Sequence, residues 1–116
     1  MPIKIIKDSI KLEELKKTAK EQFGDLVKIV VDVEQEIIAI GGGLHADEEI
    51  ELAEKENSKR ENTWGINIYP EKSGNEFIEF DSMINLKPAF GNRSRSVEKE
   101  VVREKIKKII DKLIAR

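Results

Sequence analysis

The sequence predicts an α+β fold: a mainly antiparallel five-stranded sheet with three helices, in the order β-α-β-β-α-β-β-α. Two observations support this prediction. Short segments rich in β-branched residues occur in two consecutive pairs, which is typical of antiparallel hairpins, and three other segments repeat apolar residues at helical spacing. With 116 residues and no repeat, the chain is expected to form a single domain over residues 1–116. We expect all three helices to pack on one face of the sheet.

The first half of the chain supplies a strand, a helix and a hairpin. Residues 3–6 form a short apolar segment that predicts a strand. Residues 12–23 carry apolar side chains at helical spacing and end before Gly24, since glycine readily adopts the left-handed conformation at a helix C-terminus. Residues 26–33 and 37–40 are rich in valine and isoleucine, which predicts two strands joined by a tight turn.

The second half supplies a helix, a further strand pair and a long final helix. Residues 46–56 predict a helix with acidic side chains near its start, where the helix dipole favours them. Residues 64–70 alternate and predict a strand that ends at Pro70. Residues 77–86 alternate again and predict the last strand. Residues 97–115 carry the clearest apolar stripe and predict the last helix.

Composition narrows the function classes. The chain has no cysteine, which excludes disulfides, Cys-ligated metal centres and thiol catalysis. Its net charge of −2 gives no overall basic surface, so specific nucleic-acid binding is not expected. No apolar segment approaches the length of a membrane span, and the N-terminus becomes charged within four residues, unlike a signal peptide. We expect a cytoplasmic protein with no membrane partner and no cofactor, and its Lys/Glu-rich composition resembles that of thermophile proteins.

The first candidate site is the loop GNRSRS, directly before the last predicted helix. Asn92, Arg93 and Arg95 lie in this loop, and arginine can hold a phosphate or carboxylate through two parallel hydrogen bonds. The free N–H groups at a helix N-terminus favour the same ligands. The alternative is that Ser94 or Ser96 caps the helix while the arginines pair with surface acids.

The second candidate site is the polar side of the last predicted strand. Glu79 and Asp81 are two residues apart and therefore project in the same direction from a strand. We expect Asn85 to share that side, together with Asn67 and Tyr69 from the preceding strand. Paired carboxylates beside amides and a phenol suit a divalent metal or acid–base chemistry. The alternative is an ordinary solvent-facing side of a sheet.

The third candidate site is the glycine-rich segment GGGLHADEE, which follows a predicted strand and precedes a predicted helix. It lacks the spacing of a P-loop or a dinucleotide-binding loop. His45 is the only histidine and is a candidate general base or single metal ligand, and a metal there would need carboxylates such as Asp47 and Glu48. The alternative is a helix-capping loop in which the histidine is simply hydrogen-bonded.

Five segments of the chain, taken together, resemble a family of small prokaryotic proteins classed as a domain of unknown function. These segments are EQFGDLVKIVVDVE, GGGLHADEE, WGINIYP, FIEFDSMINLKP and GNRSR. The resemblance covers nearly the whole chain, from about residue 3 to residue 113. It implies one intact domain and assigns no activity, cofactor or catalytic residue.

Three hypotheses for the function follow. The one we favour is a module that binds a small anionic ligand, bearing a phosphate, through the loop before the last helix. The second is a small metal-assisted or acid–base hydrolytic enzyme that uses His45, Glu79 and Asp81. The third is a homo-oligomeric interaction protein that assembles through its exposed sheet face or an edge strand.

Overall fold

A computed structural model describes residues 2–116 and contains the predicted five-stranded antiparallel sheet and three helices. In chain order the elements are β1 (Lys4–Ile6), β2 (Ile10–Lys11), α1 (Leu12–Gln22), β3 (Val27–Asp32), β4 (Ile37–Ile40), α2 (His45–Glu56), β5 (Thr63–Ile68), β6 (Ile78–Glu79), α3 (Glu100–Leu113) and β7 (Ile114–Ala115). Short 3-10 turns occupy Arg60–Asn62, Gly74–Glu76, Met83–Asn85 and Pro88–Phe90. The predicted α+β fold is therefore confirmed.

The strands of the main sheet lie in the order β1-β4-β3-β5-β6, and each neighbouring pair is antiparallel. The central strand β3 is buried along nearly its whole length. A second, two-stranded sheet pairs β2 with β7 in parallel. This small sheet joins the start of α1 to the end of α3 and was not predicted from the sequence.

The turn between β3 and β4 is built by an aspartate. Asp32 lies at the end of β3, and its Oδ1 accepts hydrogen bonds from the main-chain N–H groups of Glu34 and Gln35 at 2.9 and 3.1 Å. Glu36 completes the turn with a φ of 58°, in the left-handed region. An Asp side chain that binds the backbone two residues on replaces the Asn-Gly sequence common in such hairpins.

The helices lie on both faces of the sheet, so the prediction that all three pack on one face is wrong. Helices α1 and α3 cover the face that carries Val31 and Ile38, whereas Leu52 of α2 packs on the opposite face. That opposite face carries Val30 and Ala39, which are fully buried. Apolar side chains on both faces of β3 and β4 require a cover on each side.

The prediction of a strand over residues 77–86 is also wrong, because only β6 has strand geometry there. After Phe80 the chain leaves the sheet edge and crosses the face covered by α2. The hydroxyl of Ser82 accepts a hydrogen bond from the N–H of Ile84 at 3.3 Å, which begins the turn Met83–Asn85. Ile84 then packs into the same apolar cluster as Leu52.

Two further observations concern Trp64 and the last helix. Trp64 is 6% exposed and belongs to the main core. The last helix begins at Glu100, three residues later than predicted, because residues 92–99 form an irregular loop held by side-chain hydrogen bonds. Within residues 2–116, no helix has the length and apolar character needed to cross a membrane.

Candidate functional site

Polar side chains gather on the α2 side of the sheet, near the first turn of α2. We call this group the polar cluster. Its members lie on strands β3, β5 and β6, on helix α2, and in three loops: the one after β5, the one after β6 and the one before α3. They are Lys28, His45, Glu48, Asn67, Tyr69, Glu79, Asp81 and Arg95.

The strand register sets the floor of the polar cluster. Lys28 lies opposite Asn67, and Asn67 lies opposite Glu79, so the three form a row across β3, β5 and β6. Neighbouring strands are about 4.8 Å apart, which separates the backbones of Lys28 and Glu79 by roughly 10 Å. Lys28 forms no salt bridge with any residue that the structure describes.

Asn67 and Tyr69 both donate to one oxygen of Glu79. The amide Nδ2 of Asn67 lies 2.8 Å from Glu79 Oε1, and the hydroxyl of Tyr69 lies 3.1 Å from it. Burial, and then the neighbouring carboxylate of Glu79, raise the pKa of Tyr69. The amide oxygen of Asn67 is buried and has no hydrogen-bond partner in the structure. A buried acceptor without a partner is costly, so this oxygen calls for a hydrogen-bond donor such as an ordered water or a bound molecule.

His45 is the first residue of α2 and lies over β5. Its Nε2 is 2.7 Å from the carbonyl oxygen of Ile66, and because a carbonyl only accepts, Nε2 carries the proton. Burial lowers the pKa of His45 to about 4, against the opposing effect of the Ile66 hydrogen bond. The imidazole is therefore neutral near pH 7 and leaves Nδ1 as an acceptor. The charges of Lys28 and Arg95 lower the same pKa, and that of Asp81 raises it.

Glu48 lies one helical turn after His45 and is fully buried. Its Oε2 accepts a hydrogen bond from the N–H of Gly42 at 3.0 Å, and its Oε1 has no partner. A Cβ atom at Gly42 would lie 2.8 Å from Glu48 Cγ, so glycine is what permits this approach. Burial raises the pKa of Glu48 well above 4.5, which favours the protonated form. In that form the free oxygen is a buried hydrogen-bond donor without an acceptor in the structure.

Because burial favours the acid form of Glu48, we expect Glu48→Gln to stabilise the protein at neutral and alkaline pH. A group whose pKa is raised by folding contributes to the free energy of unfolding at low pH, and this contribution is lost as the pH rises through the folded pKa. The glutamine amide does not titrate. The free energy of unfolding of the variant, relative to that of the wild type, should therefore rise by about 1–3 kcal/mol between about pH 5 and about pH 9. Urea denaturation at both pH values measures the difference. Glu54→Gln, an exposed change on the same helix, is the control, and equal pH profiles for the two variants would contradict the assignment.

The side chain of Asn92 stabilises the conformation of the loop GNRSRS through hydrogen bonds to the main chain. Asn92 is 2% exposed, and its Nδ2 donates to the carbonyls of Asn85, Ser94 and Ser96 at 2.7, 3.1 and 2.7 Å. Its Oδ1 accepts from the N–H of Glu98 at 2.9 Å. Both Nδ2 and Oδ1 of Asn92 therefore make hydrogen bonds within the protein, and the side chain is not available to bind a ligand.

The two arginines of the loop have different surroundings. Arg95 pairs with Asp81, with Nε 2.8 Å from Oδ1, and this pair brings the loop to the polar cluster. Arg93 is exposed, and its main-chain N–H donates to the carboxylate of Glu98 at 3.2 Å. The helix α3 begins after Lys99 without a side-chain cap, so the alternative in which Ser94 or Ser96 caps the helix is wrong.

Asn85 is a supporting residue beneath the polar cluster. It is fully buried, and its Oδ1 accepts from the N–H of Gly65 while its Nδ2 donates to the Gly65 carbonyl, at 2.8 and 2.9 Å. The same Nδ2 donates to the carbonyl of Arg95 at 3.0 Å. Of the predicted site residues, the structure thus brings together His45, Asn67, Tyr69, Glu79, Asp81 and Arg95.

Three further residues have roles that the sequence did not assign. Lys28 and Glu48 belong to the polar cluster. The sequence offered Glu48 only as a possible metal ligand beside His45, and its position three residues after His45 on a helix was the signal for a shared site. Lys87 is 3% exposed, and its Nζ donates to the carbonyls of Arg60 and Thr63 beneath the ring of Trp64. Burial lowers the pKa of Lys87 to about 8.

The donor set of the polar cluster does not resemble a metal site. Across the described chain, no three His, Asp or Glu side chains are grouped so that they could hold a metal ion. The carboxylate of Asp81 is paired with Arg95, and that of Glu79 accepts from Asn67 and Tyr69.

The chain matches a family model over nearly its whole length. A family model described as "Protein of unknown function" matches residues 4–113, which confirms the resemblance predicted from the five sequence segments. No curated protein and no solved structure matches the chain.

Proposed function

The chain belongs to this family, DUF5674, and because the family has no assigned activity, we propose from the geometry that the protein is a binding module. Its ligand is a small molecule with a negatively charged group and a hydroxyl, such as a sugar phosphate or a hydroxy acid, held at the polar cluster. One observation carries the proposal: two buried side-chain oxygens, of Glu48 and Asn67, have no hydrogen-bond partner in the structure, and Asn67 lies opposite Lys28 on the neighbouring strand.

The charges of the polar cluster support an anionic group beside Lys28. Arg95 and Asp81 neutralise each other, and Glu79 lies two strands away from Lys28. His45 is neutral near pH 7, and the ammonium group of Lys28 lies 5.2 Å from the centre of the Phe23 ring with no acidic partner in the described chain, so its charge is available to a ligand. A hydrogen bond between a charged donor and an anion is about twice as strong as one between neutral groups.

The polar groups around Lys28 are complementary to the rest of such a ligand. Protonated Glu48 can donate to an anionic oxygen through its free Oε1, and the free Oδ1 of Asn67 can accept from a hydroxyl. The neutral Nδ1 of His45 is a second acceptor. Fixed donors and acceptors of this kind give a ligand one orientation, because each mismatched group stays buried without a partner.

The experiment is a thermal-shift screen of sugar phosphates and hydroxy acids at constant ionic strength, followed by calorimetric titration of any ligand that raises the melting temperature. We expect Lys28→Gln to weaken binding by about tenfold or more, because it removes one charge-assisted hydrogen bond. Lys59→Gln, the same change in an exposed loop, should leave the affinity unaltered.

Two results would contradict this placement of the site. Equal affinities for the wild type and Lys28→Gln would show that the ligand does not contact Lys28. A loss of binding in Arg93→Gln, with Lys28→Gln unaffected, would instead return the site to the loop GNRSRS.

The enzymatic and oligomeric hypotheses stay predictions with less support. Among residues 2–116, no hydrogen bond joins His45 to Glu79 or Asp81, and its Nε2 is occupied by a main-chain carbonyl. Exposed Leu44 and Met83, on the α2 side, are the apolar side chains that an interface there would use. We also retain the expectation that the protein works in the cytoplasm of a thermophile, where the lack of cysteine fits a reducing compartment.

A further inference from the structure

A basic cleft lies on the α3 side of the sheet, opposite the polar cluster. It has a volume of about 510 Å³ and lies between α3, the end of the chain and the edge strand β6. Three cations and one acid line it: Arg103, Lys107, Arg116 and Asp111. The cleft therefore carries a local excess of positive charge, although the whole chain has a net charge of −2.

Arg103 is fixed in place and its charge is unpaired. Its Nε donates to the carbonyl of Val97 and its Nη2 to the hydroxyl of Ser96, at 2.5 and 2.7 Å. The guanidinium stacks on the ring of Phe80, 4.7 Å from its centre. It forms no salt bridge within the described part of the chain. A preorganised guanidinium loses little conformational freedom when it binds an anion.

The other two cations are held in exposed pairs that an anion can replace. Arg116 stacks on Phe77 at 4.1 Å and contacts Asp111 at 3.2 Å. Lys107 lies 3.5 Å from Glu104, three residues away on the same helix. Exposed pairs of this kind contribute little to stability. Replacing the carboxylate of such a pair by a ligand oxygen therefore costs little free energy.

From this arrangement we infer that the cleft is a second binding site, for a phosphoryl group that carries at least two negative charges. Arg103 supplies a rigid planar donor, and Lys107 and Arg116 supply flexible charges towards the C-terminal end of α3. Planar guanidinium groups match the oxygens of a phosphoryl group geometrically. The site lies on the other face of the sheet from the polar cluster and does not depend on the function proposed there.

The test is calorimetric titration with inorganic pyrophosphate at constant ionic strength, using matched lysine variants of α3. Lys107→Gln removes a charge from the cleft, and we expect it to weaken binding about fivefold or more. Lys108→Gln makes the same change on the next residue, which does not line the cleft, and should bind as the wild type does. Lys28→Gln should also bind pyrophosphate normally, which separates this site from the polar cluster.

Three outcomes would overturn the inference. The first is no measurable binding of pyrophosphate at millimolar concentration. The second is an equal loss of affinity in Lys107→Gln and Lys108→Gln, since that would indicate general attraction to a basic helix and no defined site. The third is a loss in Lys28→Gln alone, which would assign pyrophosphate to the polar cluster.

Discussion

Asn85→Asp is expected to destabilise the fold by about 3–5 kcal/mol at neutral pH, because it places an unpaired charge in a buried site. The Nδ2 of Asn85 donates to the carbonyls of Gly65 and Arg95. A carboxylate oxygen in that place would face two carbonyl oxygens and donate to neither. The side chain is fully buried, so water cannot compensate for the loss.

The pH dependence of this variant identifies the cause. Burial and the two facing carbonyls raise the pKa of the introduced carboxyl in the folded state, so the penalty grows as the pH rises above about 4. At low pH the acid is protonated, donates one hydrogen bond and recovers part of the stability. Urea denaturation at about pH 4.5 and about pH 7.5 measures this difference.

Asn75→Asp is the matched control for the same chemical change. Asn75 is exposed in a 3-10 turn, and its substitution should alter stability by no more than about 0.5 kcal/mol. If the two variants unfold at the same urea concentration, the amide of Asn85 does not hold the segment after β6 onto β5.

Asn85 also explains why the last strand was predicted too long. Alternating residues are typical of an extended chain, and the segment after Phe80 does alternate. However, an asparagine amide has the same donor and acceptor as a peptide group, and here it occupies the N–H and C=O of Gly65. Periodicity carries no information about such a side-chain partner, which is decided by tertiary packing.

The sequence predicted the strands and helices well where one pattern dominates, as in β3 and α3. It failed to place α2, because all three helices were expected on one face of the sheet, whereas the fully buried Val30 on the other face requires a cover. The candidate site was predicted in part. His45 was identified because it is the single histidine, whereas the significance of Glu48 depends on its approach to Gly42 across a loop.

Gly65→Ala is expected to cost about 3 kcal/mol, because a Cβ atom at this position has no space. It would lie 2.5 Å from both Cβ and Oγ of Ser82, and 3.1 Å from Cγ of His45. Both neighbours are buried and hydrogen-bonded. The clash therefore moves the first turn of α2 or the segment at Ser82 away from the sheet, and it disturbs the polar cluster in either case.

Gly43→Ala is the control for this substitution, since a Cβ atom there has nothing within 4 Å. It should be neutral or stabilising by up to about 1 kcal/mol, because alanine restricts the unfolded chain more than glycine does. Thermal or urea unfolding of both variants compares the two sites.

A double-mutant cycle with Ser82→Gly then tests the contact itself. Removing the Ser82 side chain relieves the closest clash, so Gly65→Ala should cost at least about 1 kcal/mol less in the Ser82→Gly background than in the wild type. Strictly additive effects would mean that the cost of Gly65→Ala arises elsewhere, in backbone freedom or in β5 itself. Coupling between the two would instead establish that the segment after β6 rests directly on the sheet and forms one wall of the polar cluster.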